Sequence, residues 1–128
     1  GGNISEVYKY AGSNIIGEVA WYSDNSNHKT HAVGLKISNE LGIHDMSGNV
    51  WEWCEDDVFS QISRDGTALV HKPERGDTRR LRGGSWHNSY LKCLINARGY
   101  NLPGFRLNVV GANPFLKYNS FGIRLVRD

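Results

Sequence analysis

Few side chains in this sequence could carry covalent or metal chemistry, and their spacing limits what that chemistry could be. Two cysteines, Cys54 and Cys93, are too few for a disulfide framework and lack the short spacing of a zinc site. One bridge between them would close a loop of about 40 residues and contribute roughly 4 kcal/mol, whereas the alternative is two buried free thiols. The five histidines show no metalloprotease or deaminase spacing. They are His28, His31, His44, His71 and His87.

Composition and charge exclude several classes of protein. A length of 128 residues suits one domain over residues 1–128, and fifteen glycines favour a loop-rich structure. No segment has the roughly 18 apolar residues of a membrane span. Four arginines between residues 75 and 82 could suggest nucleic acid, but Glu74 and Asp77 balance them, so we interpret this segment as a solvated loop. We therefore expect neither nucleic-acid binding nor a membrane span.

Several short elements must position the reactive side chains. Residues 50–54 alternate apolar and polar, which predicts a half-buried strand. Residues 80–86 predict a strand that enters a glycine bend, and residues 121–127 predict a closing strand. Residues 41–46 predict a short strand or turn, residues 60–80 an irregular excursion, and residues 91–97 the best helix. The sequence predicts an α+β fold with short antiparallel strands and one or two short helices.

Three glycine- and tryptophan-containing segments follow one another in order: Gly-Ile-His-Asp-Met-Ser-Gly-Asn-Val-Trp-Glu-Trp at 42–53, Arg-Gly-Gly-Ser-Trp at 82–86 and Phe-Gly-Ile-Arg at 121–124. Together they resemble the signatures of the formylglycine-generating-enzyme (sulfatase-modifying factor) superfamily. The resemblance covers the C-terminal part of the usual family domain, from about residue 17 onward, and leaves residues 1–16 outside. It implies a C-type-lectin-like fold. It also implies a structural calcium ion on the Asp45 and Glu52 carboxylates and the Gly48 and Val50 carbonyl oxygens, since hard cations prefer oxygen ligands. Without calcium, Asp45 would cap a turn and Glu52 would face water.

The resemblance also provides a test for catalysis. Formylglycine-generating enzymes hold copper through two cysteines five residues apart after the second signature, and these positions correspond to Asn88 and Cys93. An asparagine removes one of the two thiolates that copper(I) selects, so we expect no copper. Ser85 also occupies an active-site position, but the sequence shows no His/Asp partner beside it. We expect a protein that is not an enzyme.

The residues after Trp86 have the composition of a binding surface. They are rich in Tyr, Asn, Ser and Gly, which combine contact area with adaptable hydrogen bonding. Their pattern resembles the variable region of diversity-generating-retroelement proteins, although residues 112–120 form an insertion relative to that family. We expect ligand contacts from His87, Asn88, Ser89, Tyr90, Lys92, Tyr100, Asn101, Leu102, Phe105, Arg106, Leu107 and Asn108.

The sequence therefore predicts a calcium-stabilised, non-catalytic display module that binds a protein or another surface ligand. One alternative is a truncated or degenerate formylglycine-generating oxidase that acts on a cysteine of a sulfatase-like substrate. Another is a structural domain of a surface or phage-tail protein. These resemblances imply a cell-surface, phage-particle or exported context without choosing among them.

Overall fold

A small mixed sheet is the framework of the molecule in the computed structural model, which describes residues 7–57, 61–62, 68–69, 79–101 and 121–122. The strands are β1 (Trp51–Asp57), β2 (Gln61–Ile62), β3 (Ala68–Leu69), β4 (Arg79–Arg82), β5 (Gly99–Asn101) and β6 (Phe121–Gly122). Four of the described strands form one sheet in the order β5-β4-β1-β6. Strand β4 is antiparallel to β1 and β5, whereas β6 is parallel to β1. The remaining two, β2 and β3, form an antiparallel pair inside the predicted excursion of residues 60–80.

Strand β1 confirms the prediction made from the alternating residues 50–54. Trp51 is buried and Trp53 half-buried, as expected for side chains two residues apart on a strand. The Trp51 ring packs close to Gly99, where a Cβ atom would come within 3.4 Å of it. Glycine at this position of β5 therefore leaves room for the large ring.

The described residues include two short helices. Helix α1 covers Ile16–Val19, and a 3-10 helix, η1, covers Tyr90–Cys93. The helix predicted over residues 91–97 is shorter than expected because Leu94 leaves the helical region, with φ −59° and ψ 146°. Residues 41–46 form a turn rather than a strand, and the Gly42 N–H donates to the Asn39 carbonyl oxygen at 2.9 Å.

A compact apolar cluster lies beside η1. Tyr10, Val19 and Cys93 are its buried members, and Ile16, Tyr22 and Leu94 pack against them. Neither cysteine is bridged in the structure, which therefore has the unbridged alternative. In the closing strand, residues 121–122 confirm the prediction, and residues 123–127 lie outside the described part of the chain.

Among the described residues, the structure has no helix with the length and apolar character required to cross a membrane.

Candidate functional site

A buried asparagine connects the two signature segments. Asn49 lies in the left-handed region at φ 60°, and its backbone accepts a hydrogen bond from Trp86 N at 2.8 Å and donates to Trp21 O at 2.7 Å. Its side chain accepts from His31 N at 3.0 Å and donates to His31 O at 3.1 Å. Asn49 thus holds the segments around Trp21, His31 and Trp86 together. Sequence reasoning assigned it no role, although it lies inside the first signature.

Two buried serines fix the backbone on either side of the site. Ser47 Oγ donates to Cys93 O at 3.0 Å and accepts from Ala11 N at 3.2 Å. Ser26 Oγ donates to Trp86 O at 2.8 Å. Both side chains are inaccessible to solvent, so water does not compete for their hydrogen bonds. Local sequence patterns could not predict these roles, because the contacts span 46 and 60 residues of chain.

A double-glycine bend carries the chain from β4 into the site. Gly83 and Gly84 have φ values of 91° and 77°, which other residues rarely adopt. A Cβ on Gly84 would lie 2.7 Å from Lys92 O and 2.9 Å from Cys93 Sγ. The bend therefore brings the backbone into direct contact with the end of η1. The sequence predicted a bend at the glycine pair but not this contact.

Asn88 closes the turn that follows this bend. Its Oδ1 accepts hydrogen bonds from Ser85 N at 3.1 Å and from Ser85 Oγ at 2.7 Å. Its backbone N–H donates to Ser85 O at 3.0 Å, and its carbonyl oxygen accepts from Ser23 N at 3.0 Å. The half-buried Asn88 amide oxygen is therefore used to hold the turn.

His87 corrects one sequence inference. The sequence showed no histidine partner for Ser85, but the structure brings His87 Nδ1 to 3.0 Å from Ser85 Oγ. The contact exists because the turn closed by Asn88 folds residue 87 back toward residue 85. Partial burial of the ring lowers the pKa of His87, although the residue as a whole is exposed.

The proton positions around Ser85 argue against its activation as a nucleophile. The Ser85 backbone N–H identifies the nearby Asn88 atom as the amide oxygen, which has no proton to give. Because the Ser85 hydroxyl donates to Asn88 Oδ1, the His87 tautomer that fits both contacts is the one whose Nδ1–H donates to Ser85 Oγ. A protonated nitrogen cannot serve as a general base, and Ser85 itself is fully buried.

Cys93 is the second residue that the motif resemblance places at a catalytic position. Its side chain is fully buried in the apolar cluster. Burial raises the pKa of the Cys93 thiol to about 11, although a hydrogen bond from the Gly48 backbone opposes the rise. At neutral pH it is a protonated thiol, the form that is a poor nucleophile and a poor metal ligand.

The predicted calcium residues lie around the turn that precedes β1. Asp45 adopts φ 57°, and its Oδ2 accepts a hydrogen bond from Gly34 N at 2.7 Å. Its Oδ1 is buried without a hydrogen-bond partner. Gly48 and Val50 continue the segment toward Glu52, which is half-buried in β1. A buried carboxylate oxygen without a partner fits a bound cation, because such an oxygen is otherwise costly to desolvate.

The described histidine, cysteine and carboxylate side chains offer no cluster of three that could hold a metal. The predicted calcium site has a different ligand set, which combines two carboxylates with backbone carbonyl oxygens. His44 is accounted for structurally, since its Nδ1 lies 2.8 Å from Lys36 O. His31 stacks on Trp21 with ring centroids 3.7 Å apart.

The predicted ligand contacts divide into four groups. His87, Ser89, Tyr90 and Lys92 are exposed, and Tyr90 retains 51% of its accessible surface. Asn88 is half-buried and holds the turn, so it is less available than expected. The backbones of Tyr100 and Asn101 lie in the edge strand β5. Five predicted contacts fall outside the described residues: Leu102, Phe105, Arg106, Leu107 and Asn108.

Two apolar side chains close in sequence to these residues are exposed. Leu91 and Ile95 expose 55% and 57% of their surface, and neither was among the predicted ligand contacts. Leu94, from the same run, packs against the buried cluster. The end of η1 after Cys93 accounts for the difference between these side chains. The apolar pattern of the sequence does not predict that end.

Comparison with known proteins relates this arrangement to one family. The profile of the family described as "Sulfatase-modifying factor enzyme 1-like domain" matches residues 1–128. A curated relative, "Chaperone protein LppX" of Paenibacillus barcinonensis, is 32% identical over 146 positions, which cover 100% of this chain and 44% of that protein. "Formylglycine-generating enzyme" of Streptomyces coelicolor is 41% identical over 70 residues, 51% of this chain and 22% of that enzyme.

Solved structures give a concordant result. "Treponema denticola variable protein 1" matches with a TM-score of 0.62 and 35% identity, over 76% of this chain and 36% of that one. "PvdO from Pseudomonas aeruginosa" matches with a TM-score of 0.56 and 26% identity, over 69% of this chain and 35% of that one. The chain thus spans less than half the length of these relatives.

Proposed function

Because the chain belongs to the sulfatase-modifying factor enzyme 1-like family, we propose that it is a non-catalytic module of α+β, C-type-lectin-like fold that binds a protein ligand. The surface that would bind follows Trp86. The observation that carries the proposal is that the Asn88 side chain closes a turn. By resemblance, Asn88 stands at the first copper-ligand position of the formylglycine-generating enzymes.

The local chemistry does not suit a copper site. Copper(I) selects soft thiolates, and an amide oxygen already engaged with Ser85 offers neither sulfur nor a free lone pair in the same direction. The remaining thiol, Cys93, is buried and protonated at neutral pH, with a pKa of about 11. Cys54 is half-buried in β1, and its thiol faces Glu52 O at 4.0 Å, in a contact with its own strand.

The exposed residues after Trp86 supply a surface suited to a protein. Hydrogen bonds hold the backbone of the Asn88 turn and of Cys93 in place. The exposed side chains therefore extend from a fixed backbone; they are His87, Ser89, Tyr90, Leu91 and Lys92. Rigid presentation lowers the entropic cost of binding. The similarity to a protein named as a variable protein supports this use, and display by retroelement diversification belongs to the same proposal.

The charge of this region limits the ligand. All charged residues in 83–123 are basic: Lys92, Arg98, Arg106 and Lys117. An interface with one sign of charge favours partners with acidic or uncharged surfaces, and it raises their association rate. The proposed ligand is therefore a protein with a neutral or acidic contact surface.

Calcium is the proposed structural ion of this module. Asp45 and Glu52 would supply carboxylate oxygens, and Gly48 and Val50 would supply carbonyl oxygens. When bound, the ion would neutralise the buried Asp45 Oδ1 and fix the turn before β1. Its chemistry would be structural only.

A second candidate is a degenerate oxidase of the formylglycine-generating type. Two features favour it: the resemblance places Cys93 at the second ligand position, and the chain is 41% identical to the Streptomyces coelicolor enzyme over 70 residues. A third candidate, a structural domain of a surface or phage-tail protein, would share the fold without a ligand.

Copper(I) titration combined with a cysteine-peptide oxidation assay distinguishes the first two candidates. We expect no stoichiometric copper binding and no turnover, with the Streptomyces coelicolor enzyme as a positive control for the assay. Turnover by this chain would contradict the proposal. The Asn88→Ala variant should remain equally inactive, since the side chain is not a copper ligand.

Binding and scaffold roles are separated by variants of the exposed surface. Protein retained on immobilised chain is compared between wild type, Tyr90→Ala and Leu91→Ala, with Val33→Ala as a matched exposed control. We expect Tyr90→Ala or Leu91→Ala to lose a specific partner without a fall in melting temperature, because neither side chain packs in the core. Equal retention by all variants would favour the scaffold role. In a population of sibling genes, differences confined to codons 87–109 would support diversification.

A further inference from the structure

A small cavity lies between the end of β4 and the residues that follow η1. Its volume is about 250 Å³, and it is lined by Ala11, Met46, Arg82, Gly83, Leu94 and Ile95. Neither the proposed display residues nor the proposed calcium ligands line it. We propose that this cavity binds an aliphatic carboxylate about the size of one amino-acid residue.

The walls of the cavity are apolar and partly open. Met46 and Ile95 expose 36% and 57% of their surface, which is a large fraction for such side chains next to a concave site. Leu94 packs against the buried cluster and gives the cavity a fixed wall. An apolar group that enters this space would remove both exposed side chains from water, which favours binding.

Arg82 adds a positive charge to the apolar wall. Its Nη1 donates to Ala97 O at 3.0 Å, which holds the guanidinium beside the Leu94–Ala97 segment. A guanidinium keeps its charge at all relevant pH values and has five N–H donors. One donor is used by Ala97, and the described residues show no ion pair for the others, so a carboxylate would complement the charge.

The size of the cavity selects the length of the occupant. Sites for larger organic ligands measure about 300–1,000 Å³, so a cavity of about 250 Å³ suits a single short aliphatic group. A free branched acid and the carboxyl-terminal leucine of a peptide share this chemistry. Their affinities can be compared directly.

The methyl group of Met46 provides an unambiguous probe. It is the only methionine in the chain, so its methyl signal in a proton–carbon NMR spectrum needs no further assignment. We expect 4-methylpentanoate and N-acetyl-leucine to shift this signal saturably. Binding of 4-methylpentanamide should be about fivefold weaker, the scale of a partly exposed ion pair. Tighter binding of N-acetyl-leucine would assign a peptide terminus, and the reverse order would assign a free acid.

Variants test the charge and the wall separately. Arg82→Met should abolish the preference for acid over amide, whereas Lys29→Met, which removes an exposed charge outside the cavity, should preserve it. If Arg82→Met does not fold, the pair Ile95→Asp and Ile95→Asn replaces it, at a site that tolerates polar residues. The acid should bind more weakly to Ile95→Asp than to Ile95→Asn. No shift of the Met46 signal at the solubility limit of the probes would overturn the proposal. Equal affinity for acid and amide would overturn the role of Arg82.

Discussion

At the scale of the residue, Asn49 makes several hydrogen bonds from a buried position. It is only 4% exposed, and both its backbone and its amide group are hydrogen-bonded. Asn49→Ala would leave the His31 N–H and carbonyl without partners and place alanine at φ 60°. We expect a loss of about 2–4 kcal/mol in the free energy of unfolding, measured by urea denaturation. The exposed Asn96→Ala is the control and should lie within about 0.5 kcal/mol of wild type; a similarly small loss for Asn49→Ala would remove its proposed role.

The raised pKa of the Cys93 thiol predicts that the stability of the protein depends on pH. Burial raises its pKa from 9.0 to about 11, so the folded state binds the proton more tightly than the unfolded state. The resulting stabilisation is complete below pH 9 and is lost as the pH rises from 9 to 11. Unfolding free energy should therefore fall by roughly 2–3 kcal/mol over that window. Because Cys93→Ala cannot titrate, its curve should be flatter between these pH values, whatever its absolute stability; parallel curves would contradict the assignment.

At the scale of the element, the glycine bend after β4 provides a matched comparison. Gly84 and Gly34 have nearly equal φ values, 77° and 78°, but only Gly84 is crowded. A Cβ on Gly84 would lie 2.7 Å from Lys92 O, whereas a Cβ on Gly34 would meet nothing within 4 Å. Gly34→Ala should therefore cost about 1–2 kcal/mol from backbone strain alone. Gly84→Ala should cost at least about 2 kcal/mol more or prevent folding, measured by thermal unfolding. Equal melting temperatures would show that the backbone at η1 can move aside.

Local patterns predicted some elements and could not predict others. Alternation around Trp51 identified β1, and the glycine pair identified the bend, because both signals lie within a few consecutive residues. The helix expected over residues 91–97 was too long, since the apolar pattern does not contain the backbone turn at Leu94. The contact of His87 with Ser85 was missed because it depends on a turn closed by Asn88. The hydrogen bonds of Asn49, Ser47 and Ser26 join distant segments, and no local pattern encodes them.

At the scale of the whole molecule, the part of the chain that the structure describes contains little helix or strand relative to loop. One four-stranded sheet and two single-turn helices anchor long polar segments in the described residues. Buried side-chain hydrogen bonds from asparagine and serine perform the role that strand pairing performs elsewhere. A bound ion in the loop before β1 would add a further constraint of the same kind.

The proposed calcium site thus predicts a global effect from a local ligand. An ion that binds only the folded state adds RT ln(1 + [Ca²⁺]/Kd), about 2.7 kcal/mol at 100 times Kd. We expect the melting temperature to rise by several degrees in calcium relative to a chelator, measured by calorimetry. Asp45→Asn should abolish that rise because it replaces the charged oxygen that is buried without a partner. Asp24→Asn, a change of equal charge at an exposed position, should retain it. If calcium and chelator give the same melting temperature for wild type, Asp45 acts only as a cap of the Gly34 turn, through its 2.7 Å hydrogen bond.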